Sequence, residues 1–566
     1  MGLRQIYKKS DSPILHFMNS DHEIEFNYYL IYVEKSWLTI NSHDNFEIPH
    51  CHLLYSDTDE NSGLVVDLVT DKLSRNAHIV ILLEFQLDWY MRTIPLHCVW
   101  SNGLMRARRF YNHVPKVSPL IYITLVLFLV SLAINPVKAV DFKSKELPTI
   151  RDPDLSVELV FQGDFDLTAN QLSPVTAMTF LGKDILILSK NDGTVNRITN
   201  GALVDAPLLD VQVANKRERG LLGITSSKAN DTNKQYIFLY FTESGKTDGT
   251  DICLTTYSCQ PGSEPVGNQL YRYELYDNKL ENPKLLLHLP AWPAPSHNGG
   301  AITVGPDNNL YLTIGDLVGS VNESSRTKAQ NFNNGTEPDA RAGILRITQN
   351  GKPGSESVLG NAYPLNLYYA YGIRNSFGID FDPITGNLWD SENGPEYGDE
   401  INLVKPGFNS GWMNVQGIWK AIQRPIEGED LVAGNISSSP SDLVNFGGKG
   451  KYSPPEFIWK ETVGPTALKF LSSDKLGKHY ANDLFVGSFN LGTIFHFSLN
   501  EDRTELSLKG SLKDKIADNH KEIEEIIFGE GFNRIADLEV GPDGYLYVLS
   551  VEGATAKIHK IMPKEN

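Results

Sequence analysis

One short unit returns six times after residue 180: a turn of Gly, Asp, Asn or Pro, an alternating apolar strand, and a second turn. It reads LGKDILILSKNDGTVNRI from Leu181, NKQYIFLYFTES from Asn233, GPDNNLYLTIGD from Gly305, DPITGNLWDSE from Asp382, ANDLFVGSFNLGTIFHF from Ala481 and GPDGYLYVLS from Gly541. Alternation at period two with β-branched and aromatic residues marks strands, and the flanking turn residues stop them. No long amphipathic helix pattern competes with these strands. Small antiparallel sheets repeated radially leave only short, protected edges. The expected fold is therefore all-β, a six-bladed β-propeller with four-stranded antiparallel blades. Its loops gather at one end of a central channel, where a site is expected.

The first 140 residues differ from the rest. They carry eight of the 14 histidines and two of the four cysteines, Cys51 and Cys98. MRARRFYNHVPK, Met105 to Lys116, then brings four basic residues and no acidic one, and the run Val117–Val137 carries no charge. That order is a basic region, an apolar region and a small-residue cleavage site, as in a signal peptide. The apolar run is also about long enough, at roughly 20 residues, for a single membrane anchor. The expected organisation is residues 1–104 as an upstream extension or poorly structured segment, 105–139 as signal peptide or anchor, and 140–566 as the propeller. Either reading places the propeller outside the cytoplasm: extracellular, in a periplasm-like space or at the cell surface. Cys253 and Cys259 then suit a small loop disulfide. Sequons stand at Asn230, Asn322, Asn334 and Asn435. Residues 140–566 hold 39 Lys and Arg against 55 Asp and Glu, a net −16. Such an acidic surface excludes nucleic acid as the expected partner.

SHNGGAITVGPDNNLYLTIGD, Ser296 to Asp316, places His297 before Gly299 and Gly300 and ends its hairpin on an aspartate. Bare backbone beside an imidazole predicts close approach of a flat or bulky ligand. A lone loop histidine would carry little weight by itself. Three further stretches accompany it in order: RERGLLGI (Arg217–Ile224), YGIRNSFGIDFDPITGNLWDSENGPEYGDEIN (Tyr371–Asn402) and RIADLEVGPDGYLYVL (Arg534–Leu549). Together they resemble the soluble quinoprotein glucose/sorbosone dehydrogenases, also called aldose sugar dehydrogenases, over about residues 155–562.

The resemblance implies a six-bladed propeller binding pyrroloquinoline quinone beside Ca2+, with an aldose as substrate and a separate external electron acceptor. It maps the catalytic base onto His297, oriented by Asp316, and the cofactor-contacting pair onto Arg374 and Asn375. A guanidinium suits a carboxylate or a reduced quinone oxygen. Glu218 falls where the family places a polar residue facing the cofactor. The carbonyls of Gly394 and Pro395 map onto those that hold the cofactor calcium, and Asp399 and Glu400 onto acids beside a further structural calcium; oxygen ligands of this kind suit that ion. Two family cations are missing. Asn490 stands where many relatives have lysine, and RIAD keeps Arg534 but puts Ala536 in place of a second arginine. The leading expectation is oxidation of the anomeric carbon to a lactone. Two alternatives stay open, a calcium-dependent propeller lactonase or hydrolase and a cofactor-free propeller that binds extracellular glycans or proteins, since a propeller hosts many chemistries.

Overall fold

In the computed structural model of the chain, the described residues are 147–564 apart from 168–171, 229–233, 246–264, 318–325 and 421–441, together with backbone strands between 28 and 106. The uncharged run 117–137, Cys253, Cys259, Asn230, Asn322 and Asn435 lie outside the described residues. The chain divides into two compact units, Met1–Asp141 and Phe142–Asn566. In the first, Tyr28–Val33, Ser36–Asn41, Ile81–Leu87 and Tyr90–Leu96 pair as one sheet, and Cys51–Ser56, Gly63–Val69 and Leu104–Arg106 as another. Among the described residues no helix is long and apolar enough to cross a membrane.

The second unit is an all-β propeller. Five of its sheets each begin as a run of strands in chain order. The first is built on Val175–Leu181, Asp184–Ser189 and Thr194–Thr199, and the second on Leu221–Lys228, Gln235–Glu243, Gly267–Tyr276 and Lys279–Leu289. The third is built on Ile302–Val304, Asn309–Ile314, Gly343–Thr348 and Tyr368–Tyr371. The fourth orders Ser376–Phe381, Leu388–Glu392, Tyr397–Val404 and Phe457–Glu461, and the fifth Pro465–Phe470, Leu484–Ser488, Ile494–Phe497 and Ile527–Glu530. The expectation of six like blades needs correcting here: five open as runs of strands in chain order, and of these the fourth and fifth are completed by Ile516–Ala517 and Thr149–Ile150 from elsewhere in the chain. Besides the two-stranded pair Val415–Gln416 and Trp419–Lys420, a further sheet is composite, because Arg534–Val540, Leu546–Glu552 and Thr555–Pro563 take their outer strand, Leu155–Asp164, from the other end of the propeller. Nor are the blades uniformly four-stranded. The third and fourth gain short parallel edge strands, Phe408–Asn409 and Ile516–Ala517 among them.

Each of the six repeats read from the sequence falls on the second strand of a different sheet. Asp184–Ser189, Asn309–Ile314, Leu388–Glu392, Leu484–Ser488 and Leu546–Glu552 are buried almost throughout. A second strand has neighbours on both edges and sheets on both faces, so it carries the densest apolar signal. The turns recur in detail too. In GPDNNLY the Asp307 carboxylate accepts from Asn309 N at 3.1 Å and Tyr311 Oη at 3.0 Å. In GPDGYLY the Asp543 carboxylate accepts from Tyr545 N at 3.3 Å and Tyr547 Oη at 2.9 Å.

Apolar side chains fill the spaces between neighbouring sheets. Leu222, Phe238 and Leu312 join the second to the third, and Trp389, Phe457 and Val486 the fourth to the fifth. Ile187, Leu549 and Ile558 join the composite sheet to the first. Around the channel, side chains of one innermost strand meet the backbone of the next. Asp537 Oδ2 accepts from Met178 N at 2.8 Å, Asp380 Oδ2 from Phe470 N at 2.9 Å, and Thr466 Oγ1 donates to Ile535 O at 2.6 Å. In antiparallel sheets the entry to the innermost strand and the turn after the second strand lie at the same end. Glu218, His297, Arg374 and Arg534 occupy such entries, and Asp316, Gly394 and Asn490 such turns.

Candidate active site at the channel mouth

His297 lies on the loop between the second and third sheets and holds a left-handed backbone, φ 62°. For a residue with a side chain that conformation costs about 1–2 kcal/mol, so something must hold it. Glu218 does: its Oε2 accepts from His297 N at 2.7 Å and from Asn375 Nδ2 at 3.0 Å. Asn375 Oδ1 in turn accepts from Gly299 N at 3.3 Å. Three loops, entering the second, third and fourth sheets, are thereby tied together by one carboxylate and one amide.

The two glycines serve this packing, which corrects the expectation that their bare backbone admits a ligand. A Cβ on Gly299 would stand 2.5 Å from Thr313 O, and one on Gly300 2.8 Å from Leu222 Cβ. Protein fills the space a side chain would need.

The imidazole is fixed from below. His297 Nδ1 lies 2.6 Å from Asp316 Oδ1, and Asp316 is wholly buried. Burial opposes ionisation of Asp316, but His297, with help from Arg374 and Trp412, outweighs it and holds the carboxyl below the usual carboxylate range. An ionised carboxylate at Nδ1 makes that nitrogen the donor and leaves Nε2 as the basic nitrogen. Asp316 N donates to Arg374 O at 2.9 Å, and Trp412 Nε1 donates to Asp316 Oδ2 at 2.8 Å.

Arg374 follows on the next loop. Its backbone N donates to Glu392 Oε1 at 2.6 Å and its Nη1 to Asn393 O at 2.9 Å. The guanidinium sits 5.4 Å from the Trp412 ring centroid. Burial pushes Arg374 below its ordinary value against the pull of Asp316, Glu218, Asp399 and Glu392. Its buried Nε has no acceptor among the described residues. That unspent donor fits an anionic or quinone oxygen.

The acidic turn beside it is more buried than a solvated acidic loop. Asp399 accepts from Gly394 N at 2.8 Å, Val463 N at 2.7 Å and Gly464 N at 2.8 Å, which pins the Gly394-Pro395 turn to the entry of the fifth sheet. Burial raises its carboxyl to about 6. Glu400 accepts from Gly417 N, from Gln416 Nε2 at 2.8 Å and from Asn402 Nδ2 at 3.2 Å, and burial raises it to about 8. Glu392 faces Glu400 across the strand pair, and burial next to that neighbour lifts it well above the carboxylate range. Among the described residues no three His, Cys, Asp or Glu side chains converge to hold a metal by themselves. An ion here would draw on backbone carbonyls such as those of Gly394 and Pro395, and carbonyl oxygens suit a hard cation.

Asn490 and Arg534 stand apart from this network. Both are exposed. Asn490 rests over Gly464, and Arg534 places its guanidinium 5.2 Å from the Phe489 ring centroid. They line a cavity of about 370 Å³ with Leu491, Asn533 and Glu552. Ala536 packs into the apolar cluster between the composite and first sheets. Trp412 and Glu392 were not singled out from sequence. Glu392 stood in the quoted ENGPEYGDE run, whereas nothing near Trp412 in the sequence points to Asp316, 96 residues away.

An aldose sugar dehydrogenase of Escherichia coli is 26% identical over 279 residues, which cover 49% of this chain and 62% of that protein, so the match spans less than two thirds of that relative. Quinoprotein glucose dehydrogenase B of Acinetobacter calcoaceticus is 35% identical over 156 residues, 26% of this chain and 32% of that one. The solved apo-form of the soluble aldose sugar dehydrogenase of Escherichia coli has the same fold, with TM-score 0.51 and 21% identity over 72% of this chain and all of that one. The sequence model of the family described as glucose/sorbosone dehydrogenase matches residues 172–560, and the chain belongs to that family.

Proposed function

We propose that this member of the glucose/sorbosone dehydrogenase family oxidises the anomeric carbon of an aldose to a lactone. The observation that carries the reading is His297, held by its backbone to Glu218 and by its ring to a buried, ionised Asp316, next to the unspent donor of Arg374. Pyrroloquinoline quinone, when bound, would supply the acceptor for the hydride leaving the sugar's anomeric carbon. His297 Nε2 takes the proton of the anomeric hydroxyl, Asp316 keeps Nδ1 the donor nitrogen, and the spare Nε donor of Arg374 would help to hold the anionic group. The Gly394 and Pro395 carbonyls, with Asp399 and Glu400 behind them, would seat Ca2+ beside it. Turnover would then need an external acceptor for the two electrons.

We count the composite sheet as the sixth blade; the run of innermost strands from Val175–Leu181 round to Arg534–Val540 supports that count. We further propose that 140–566 is the mature unit, that 105–139 acts as signal peptide or single anchor, that 1–104 is an upstream extension, and that Cys253 and Cys259 pair in an oxidising compartment. Mass spectrometry of native material tests the processing: abundant peptides from 1–104 would overturn it. For the activity, calcium-loaded protein is titrated with the quinone and given aldoses and a redox dye. Dye reduction that needs both sugar and quinone is expected. Lactone hydrolysis without quinone, or no sugar-dependent reduction at saturating quinone, would replace this reading.

A further inference from the structure

We infer that Trp412 is a positioning residue that couples the His297–Asp316 pair to Arg374. It lies just beyond the short edge strand Phe408–Asn409, far in sequence from both, and is 4% exposed. Its backbone is fastened on both sides. Trp412 N donates to Gly372 O at 2.9 Å, Trp412 O accepts from Asn331 Nδ2 at 2.9 Å, and Met413 N donates to Gln330 O at 2.9 Å. Asn331 is itself locked by a reciprocal amide pair with Asn409, at 2.9 and 2.8 Å. An indole anchored this way cannot drift, so what it touches is held in turn.

It touches two parts of the base machinery at once. The edge of the ring donates Nε1–H to Asp316 Oδ2 at 2.8 Å while Asp316 Oδ1 serves His297 Nδ1 at 2.6 Å. With one oxygen assigned to each donor, the carboxylate plane is set, and the imidazole that hangs on it is set as well. The face of the ring lies under the Arg374 guanidinium, 5.4 Å to the centroid. Asp316 N to Arg374 O, at 2.9 Å, closes the circuit. An ordinary core tryptophan would show burial alone; this one spends its single donor on the carboxylate that orients the base.

The kinetic readout rests on the dehydrogenase reading, but the spectroscopic one does not. Trp412→Phe keeps the ring under Arg374 and removes only the N–H. Losing one donor to a buried carboxylate is expected to lower kcat roughly ten- to a hundredfold. The sugar KM should stay within about twofold and the quinone Kd should not change, the pattern of an orienting residue and not of a binding one. In cofactor-free protein labelled with 15N-histidine, the His297 Nδ1–H signal should be sharp in the parent and broadened in the variant. Asp316→Asn and the double variant complete a cycle: if Trp412 acts through Asp316, the double variant is no slower than Asp316→Asn alone. Parent kcat with an unchanged His297 signal, or losses that multiply in the double variant, overturns the inference. Should Trp412→Phe not fold, the indole Nε1–H resonance of Trp412 is compared in the parent and in Asp316→Asn, and an unmoved resonance overturns it equally. If no sugar is oxidised at all, the two spectroscopic arms still decide the role of Trp412.

Discussion

The side of the mouth served by the second, third and fourth sheets and the side served by the fifth and composite sheets are built on different terms. On the first, Glu218, His297, Asp316, Arg374, Asn375 and Trp412 share one hydrogen-bonded network, in which Asp316, Asn375 and Trp412 are buried. On the second, Asn490 and Arg534 are exposed around an open cavity, and Ala536 has turned to packing. A base works only when its ring is held in one orientation, which a low-dielectric polar network provides. A contact to an anionic group needs charge more than fixed geometry, and here this chain carries one arginine and an amide.

Removing the base is the harshest test of that contrast. His297→Ala, fully loaded with quinone and calcium, should lose about 10²–10⁴-fold in kcat while keeping its fold. Asp316→Asn should lose less, because the base remains and only its orientation suffers. An alanine variant that oxidises sugar at the parent rate would show that the first side is a structural clamp.

In the composite sheet, His559 is a buried imidazole. Burial lowers this imidazole from 6.5 to about 4, and its ring packs 5.6 Å from that of Phe532. A base whose folded value is depressed gives its full stability above 6.5 and loses it as the pH falls towards 4. The loss approaches about 3 kcal/mol at the acid end of that window. Denaturant melts of the parent and His559→Gln from pH 7 to 4 should show a parent-minus-variant difference that shrinks on acidification. A flat difference would place the histidine in a looser setting.

Calcium sharpens the same line from the fourth sheet. Chelation should abolish turnover, and an ion held only by the folded form at a hundredfold excess over its Kd adds about 2.7 kcal/mol to stability. Glu400→Gln should reduce the calcium-dependent rise in melting temperature more than it reduces turnover. Full activity after exhaustive chelation would leave ENGPEYGDE a buried turn and nothing more.

The smallest effect belongs to the exposed rim. Asn490→Lys should tighten quinone binding about tenfold, the lower end for a charge-assisted contact, since solvent screens this side. Unchanged affinity would mean that other residues already meet the anion there.

How far the chain could be read follows from where its information is local. The second strands announced themselves because burial on both faces leaves a dense apolar run, and the His297–Asp316 hairpin did so because both ends lie within one continuous stretch. Gly299 and Gly300 were seen but misread: Thr313 crowds the first from across the same hairpin, and Leu222, which crowds the second, comes from another sheet that no local pattern identifies. Trp412 was missed for the same reason on a longer scale. Glu392 looked like one more acid of a surface turn, and only its register opposite Glu400 revealed a buried pair.

The composite sheet has a consequence for how this protein comes into being. Thr555 Oγ1 bonds to Asp164 Oδ1, 391 residues earlier, at 2.6 Å, and the backbones of Asp154 and Lys564 meet at 2.8 Å. On a ribosome adding about 5–20 residues per second, the strand Leu155–Asp164 therefore waits roughly 20–80 s for its partner. Through that interval its edge is open to any other extended chain, and the ring of sheets stands as an unclosed arc. Closure thus waits for Thr555–Pro563, the strand that pairs with Leu155–Asp164.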